Sequence, residues 1–231
     1  MKNYQYPTEL HNFEIEIIKS VMPYTMTSKD RLSAMVKSFN YVIDNDIQGD
    51  FVECGVWRGG NLILLNQLSQ KKNTKRIIYG FDTFQGMTPP TDVDVDYKGK
   101  SSKQLLDASV KTDNVQNVWA YCSLENVKNN IQKFSNSDKI NLVKGPVEQT
   151  LLNESNLPKE ISILRLDTDW YESTKIELEV LYPRLVKGGI LIIDDYGHFK
   201  GCQKAVDEYF LNKKVFLNVI DYTGRLIVKN D

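Results

Sequence analysis

The chain is poor in the residues that build disulfides and soft-metal sites. Cys54, Cys122 and Cys202 are its three cysteines in 231 residues, and their odd number and wide spacing suit reduced thiols rather than a disulfide framework or a zinc site. It has two histidines, His11 and His198, so a metal would have to rely on oxygen ligands. An excess of one charge is missing as well. With 29 Lys and Arg against 30 Asp and Glu, the formal net charge is −1, which gives no electrostatic case for nucleic acid or an acidic membrane surface. No apolar run reaches the length needed to cross a bilayer, and Met1-Lys2-Asn3-Tyr4-Gln5-Tyr6-Pro7 has no apolar leader core. These absences lead us to expect a soluble, cytoplasmic protein without repeats, long enough for one sizeable α/β domain.

What is present is organised around Ile161-Ser162-Ile163-Leu164-Arg165-Leu166-Asp167-Thr168-Asp169-Trp170. A run of strand formers ends in two carboxylates one residue apart, and in an open α/β sheet that edge is where ligands bind. Taken alone, such a pair more often just caps the following helix. A second apolar run, Ile190-Leu191-Ile192-Ile193, ends in Asp194-Asp195-Tyr196-Gly197-His198. If the two strands are neighbours in a parallel sheet, Asp167, Asp194 and Asp195 converge. Carboxylates held that close repel one another, and a divalent cation satisfies them; oxygen donors point to Mg²⁺, with Mn²⁺ or Ca²⁺ as alternatives.

Upstream, Phe51-Val52-Glu53-Cys54-Gly55-Val56-Trp57-Arg58-Gly59-Gly60 reads as a strand, a glycine turn and the start of a helix, the opening of a nucleotide-binding unit. A carboxylate at Glu53, where a dinucleotide fingerprint has its first glycine, suits a cationic ligand such as the sulfonium and ammonium of S-adenosylmethionine. Gly55 and Gly59 shape the turn, while Trp57 and Arg58 are placed to shape the methionine end of the pocket. The second strand, Arg76 to Phe81, runs into Asp82-Thr83-Phe84-Gln85-Gly86, where Asp82 is placed to accept from ribose hydroxyls. Residues 87–100, with Asp92, Asp94 and Asp96, lack periodicity and read as a solvated, lid-like loop. Two helices, Leu10–Val21 and Lys29–Asn45, precede the first strand, the second opened by a Thr27–Asp30 capping box. They divide the chain into a helical cover or oligomerisation segment at 1–48 and a catalytic domain at 49–231. Gly188-Gly189 ends the helix begun at Glu172. The C-terminus reads as a hairpin, Val215–Ile220 and Arg225–Lys229.

Five motifs in order resemble the macrocin O-methyltransferase family: residues 53–60, 81–86, 164–174, Leu181-Tyr182-Pro183-Arg184-Leu185 and 193–197. The resemblance runs from about Gly49 to Tyr209. It implies the class I methyltransferase fold, a Rossmann-like α/β architecture with a seven-stranded, mostly parallel sheet ending in an antiparallel hairpin. It also implies transfer of a methyl group from S-adenosylmethionine to a sugar hydroxyl, Mg²⁺ on Asp167, Asp194 and Asp195, and Asp169 as general base. Gly145-Pro146-Val147-Glu148 departs from the family's Gly-Trp-Phe-like segment, and the N-terminus is short for the family.

The chemistry needs such a site because an alcohol is a weak nucleophile near neutral pH, and coordination to a cation lowers its pKa. Vicinal hydroxyls of a sugar-containing acceptor would chelate the metal, with Asp169 taking the proton and His198 touching the acceptor or serving as a second base. Trp170 and Tyr171 either stack on the acceptor or pack internally. The acceptor is a small molecule: a glycosylated natural product, a nucleotide sugar or a polysaccharide precursor. Nucleic acid and membrane are not expected as partners; a homo-oligomer is possible. The competing readings are a metal-dependent glycosyltransferase using Asp-x-Asp, a phosphatase of the haloacid dehalogenase type, and a cofactor-binding protein without turnover.

Overall fold

The computed structural model describes residues 6–114, 117–134 and 138–231; Met1 to Gln5, part of the opening scanned for a leader, lie outside them. Among the described residues the strands are β1 (Asp50–Cys54), β2 (Ile78–Asp82), β3 (Ile140–Lys144), β4 (Ile161–Leu166), β5 (Leu185–Ile193), β6 (Asn218–Val219) and β7 (Arg225–Val228). They form one sheet in the order β3-β2-β1-β4-β5-β7-β6. The first five strands pair in parallel, and β7 and β6 add antiparallel. This is the expected seven-stranded, mostly parallel sheet. The chain winds outward from β1 to β3 and then returns to place β4 beside β1, so the β1/β4 seam is the topological switch point, where ligand crevices form.

Helices cover both faces, as a parallel sheet requires. On one side lie α1 (Asn12–Val21), α2 (Lys29–Asp44), α3 (Gly60–Lys71) and α5 (Leu124–Gln132), whose Ile18, Phe39, Leu62 and Ile131 join Phe51 and Ile163 in one core. On the other lie α6 (Val147–Thr150), α7 (Tyr171–Leu181) and α8 (Lys200–Phe210), with Leu178 and Val206 against Val52 and Leu164. Short α4 (Ser102–Asp107) lies between α3 and α5 in sequence. Adjacent strand residues such as Phe51 and Val52 serve opposite cores because side chains alternate across a sheet. The face that takes Phe51 and Ile163 also takes Glu53 and Arg165, a cross-strand pair in the β1–β4 register.

Several boundaries differ from the sequence expectation. The cap of α2 is Ser28, whose hydroxyl accepts from the Arg31 N–H; Thr27 is buried and its hydroxyl is used elsewhere. Pro183 lies in a 3₁₀ turn, Tyr182–Arg184, where α7 gives way to β5, because proline cannot continue the hydrogen-bond ladder. Gly188-Gly189 therefore lies inside β5, at a register shift against β4, rather than ending a helix. The last hairpin keeps β7 but shortens β6 to two residues, leaving Phe216 exposed.

Residues 87–100 are largely exposed, as expected, but the loop is pinned to the fold at Asp94. Asp94 is buried, accepts from the Thr91 N–H and hydroxyl at 2.7 and 2.8 Å, and caps α7 by accepting from the Tyr171 N–H at 2.8 Å. Gly201 lies so close that a Cβ there would meet Asp94 Oδ1 at 1.9 Å. No helix among the described residues is long and apolar enough to cross a membrane.

Candidate functional site

A cavity of about 390 Å³ opens where the carboxyl ends of β1, β2, β4 and β5 meet. Its floor is the β1/β4 seam. The Asp167 N–H donates to the Cys54 carbonyl at 2.9 Å, and Gly55, at φ +84°, passes so near that a Cβ would lie 1.9 Å from the Asp167 carbonyl oxygen. Only glycine combines that approach with a left-handed backbone without strain. Beyond it the turn is tied to β2 by Asp82, whose Oδ2 accepts from the Val56 and Trp57 N–H groups at 2.7 and 3.0 Å and whose Oδ1 accepts from the Phe84 N–H at 2.6 Å. Burial pushes the Asp82 pKa up, and these backbone bonds pull it down.

Of the residues expected to meet a cofactor, Gly55, Trp57, Asp82 and Thr83 line the cavity. Glu53, Arg58 and Gly59 do not. Glu53 is buried below the floor because the register sets it opposite Arg165, to which it is ion-paired at 2.7 Å. Burial raises its pKa to about 8 despite that cation. Arg58 lies outward, stacked 4.7 Å from the Trp57 ring centre, with a guanidinium N–H on the Asp113 carbonyl. Gly59 opens α3 at φ +91°, beside Val127 and Ile131.

The acids of β4 and β5 do converge. One oxygen from each of Asp167, Asp194 and Asp195 falls within 4.8 Å of the others. The Asp194 N–H donates to the Leu166 carbonyl at 2.9 Å, locking the two strand ends together. Asp195 is buried and its Oδ2 has no partner. A buried carboxylate oxygen left unpaired is costly, and with three hard oxygen donors in reach the set fits a divalent cation of the Mg²⁺ type. Asp169 faces the same cavity from a left-handed backbone, φ +69°. Burial raises its pKa to about 7, opposed by a hydrogen bond to Asp195 and reinforced by the charge of Asp167. Burial and then the neighbouring Asp169 and Asp167 charges push Asp195 well above the usual carboxylate range as well.

His198 reaches the cavity rim, with Nδ1 3.0 Å from the Tyr222 hydroxyl and its ring against Tyr97 and Phe199; burial lowers its pKa. Trp170 and Tyr171 pack. The Trp170 indole N–H donates to the Thr88 carbonyl at 2.9 Å and its ring meets Phe199 edge-on, while the Tyr171 hydroxyl donates to Glu208.

Two arginines essential to this arrangement escape a motif scan. Arg165 is almost fully buried. Its Nη1 donates to Glu53 and Asp167, both at 2.7 Å, and its Nη2 donates to Asp194 at 2.5 Å and to the Thr27 hydroxyl at 2.8 Å. The sequence does carry a signal for it, an arginine in the middle of a strand otherwise too apolar to carry a charge. Arg31 of α2 donates to Asp194 and, through Nε, to Asp221 at 3.0 Å; helical periodicity gives no sign that it enters the site. Glu177, wholly buried on α7, accepts from the Thr168 hydroxyl at 2.9 Å beneath the acid turn, and burial raises its pKa strongly. Glu148 lines the cavity with a buried, unpartnered Oε2.

Comparison with known proteins gives a consistent answer. The family model of macrocin-O-methyltransferase (TylF) matches residues 18–228. A demethyldecarbamoylnovobiocin O-methyltransferase of Streptomyces niveus is 33% identical over 189 residues, 80% of this chain and 67% of that protein. The solved structure of the O-methyltransferase NovP superimposes with a TM-score of 0.77 at 30% identity, covering 90% of this chain and 83% of that one. Calicheamicin methyltransferase CalS11, at 20% identity and a TM-score of 0.65 over 96% and 95% of the two chains, shares the fold.

Proposed function

Because the chain belongs to the macrocin-O-methyltransferase (TylF) family and is an O-methyltransferase, we propose that it methylates a sugar hydroxyl held beside the Asp167, Asp194 and Asp195 cluster. S-adenosylmethionine is the donor in this reading, and Mg²⁺ the assisting ion. One observation carries it. The three-carboxylate cluster and the glycine turn after β1 open into a single cavity, of a size suited to a small ligand. A relative from Streptomyces olivaceus, 32% identical over 188 residues, is named as the 4'-O-methyltransferase of a rhamnosyl-tetracenomycin, and that supports a sugar-bearing acceptor. A glycosyltransferase or a phosphatase has no such support.

The residues divide the work. Gly55 and Trp57 leave room along the β1 turn, and Asp82 sets that turn while presenting its carboxylate toward ribose hydroxyls. Glu148 is adjacent, since the Gly145 N–H donates to the Asp82 carbonyl at 2.9 Å, and its open oxygen suits an amino donor at the adenine end. Asp167, Asp194 and Asp195 would hold the cation. When bound, the donor supplies an activated methyl group, and the ion supplies positive charge that stabilises an ionised hydroxyl. Asp169 accepts the acceptor's proton, as a partly buried carboxylate with a pKa near the working pH is suited to do. His198 and Tyr222 contact the acceptor at the rim, where position and orientation are worth most. The segment before residue 48 serves as the site's cover, reaching it through Met26 and Arg31.

Calorimetric titration with S-adenosylhomocysteine, followed by a screen of glycosylated acceptors for methyl transfer with and without EDTA, tests this reading. Binding of S-adenosylhomocysteine and metal-dependent transfer are expected. Failure to bind it alongside binding of a nucleotide sugar would overturn the methyltransferase reading, and full turnover in EDTA would remove the metal.

A further inference from the structure

Arg31 is a cation among the carboxylates of the cavity, and the neighbouring acids Asp194 and Asp195 are not equivalent. Asp194 is doubly engaged: Arg165 donates to Oδ1 at 2.5 Å and Arg31 donates to Oδ2. Asp195 Oδ2, by contrast, has no partner. A divalent cation drawn in by the cluster therefore finds one prospective ligand already neutralised by two guanidinium groups. Arg165 has nowhere to go, since it is buried and bonded to Glu53, Asp167 and Thr27 as well. Arg31 has an alternative. Its Nε already donates to Asp221 Oδ2 at 3.0 Å, and Asp221 is itself fixed in the β6–β7 turn by the Thr223 and Gly224 N–H groups at 3.0 and 2.7 Å and by the Ser28 hydroxyl at 2.7 Å.

We propose that Arg31 is the resident counter-cation of the carboxylate cluster: it neutralises Asp194 in the metal-free protein and withdraws onto Asp221 when a divalent cation binds. The inference rests on the metal reading above and adds a residue outside the ligand set. It makes Arg31 a positioning residue that opposes metal entry, because its charge and that of the ion compete for one oxygen. It also links metal loading to the start of α2 and to the β6–β7 turn, both of which border the cavity mouth through Met26 and Tyr222.

Two substitutions should move metal affinity in opposite directions, which a merely structural role would not do. Mn²⁺ binding to the pure protein is read by electron paramagnetic resonance, with thermal melts confirming that each variant is folded. Arg31→Gln should bind Mn²⁺ about fivefold to tenfold more tightly than wild type, the scale of one charge interaction at a partly buried pair. Asp221→Asn, which removes the alternative partner and leaves Arg31 on Asp194, should bind it more weakly. Unchanged or weaker binding by Arg31→Gln, with normal binding by wild type, overturns the counter-cation and leaves the metal site standing. Wild type that binds no Mn²⁺ overturns the metal site and the counter-cation with it.

Discussion

The two halves of the cavity are held in different ways. The half at β1 and β2 is fixed by backbone: Asp82 gathers three N–H groups, and left-handed residues at Gly55, Trp57 and Phe84 bend the chain around the space. The half at β4 and β5 is fixed by charge, with Arg165 and Arg31 set among Glu53, Asp167, Asp169, Asp194 and Asp195. A backbone cradle keeps its shape whatever the ionic state of its ligand. A charge cluster with fewer cations than acids is complete only with another cation, or with protons. The first half therefore behaves as a preformed socket and the second as a site whose geometry depends on what is bound.

The sharpest way to break this division is at the seam the halves share. Gly55→Ala would drive a Cβ into the Asp167 carbonyl and force a left-handed backbone on alanine, which alone costs about 1–2 kcal/mol. We expect loss of S-adenosylhomocysteine binding and of Mn²⁺ binding together, with a lowered melting temperature. Retention of either one would show that the halves are independent. Asp169→Asn acts on one half only. Removing a positioned base costs on the order of 10²–10⁴ in rate, and this variant should lose turnover on that scale while titrations of S-adenosylhomocysteine and Mn²⁺ stay near wild type. An unchanged rate would transfer the role to His198.

Arg165 measures how much of the charged half is structural. Lysine keeps the charge but cannot reproduce a fork that donates to three carboxylates and a hydroxyl. Disrupting a buried ion pair costs about 3–5 kcal/mol, and Arg165→Lys should fall toward the lower end of that range in denaturant unfolding, with metal affinity reduced because Asp167 and Asp194 are no longer aligned. Wild-type stability would mean that the ladder between β4 and β5 sets the acids without it.

The contrast also explains what the sequence makes legible. Strand-end acids and a glycine turn are local signals, and a parallel sheet carries them to one edge whatever the details, so Asp167, Asp194 and Asp195 can be brought together from order alone. Asp82 is legible in place but not in detail, since its hydrogen bonds within the loop come from a turn whose dihedral angles no motif specifies. Arg31 is invisible because its partners are 163 and 190 residues away, and a helix's periodicity reports what its buried face needs, not what its first turn reaches. Within the loop at 87–100 the sequence misleads at Asp94, which looks like one of several exposed acids. Only the packing of α7 and α8 against it makes it a buried anchor.

The smallest effect expected concerns protons, the other way the charged half can be completed. Burial holds the Asp169 pKa at about 7, against about 4 for an aspartate in an unfolded chain. The native state therefore binds this proton more tightly than the unfolded state does. The stability it contributes is fully present below about pH 4 and is lost as pH rises through about 7. The amide introduced by Asp169→Asn has no such proton to lose, so the melting temperature of this variant should gain on wild type, by a few degrees at most, as the metal-free proteins are taken from about pH 4.5 to about pH 7.5. The gain is kept small by the face that Asp169 turns to the cavity. Millimolar Mg²⁺ should erase it, because an ion that favours the ionised cluster replaces the proton as its counter-charge. A constant difference across that range, with or without the ion, would show that the acids of β4 and β5 are balanced by their arginines alone.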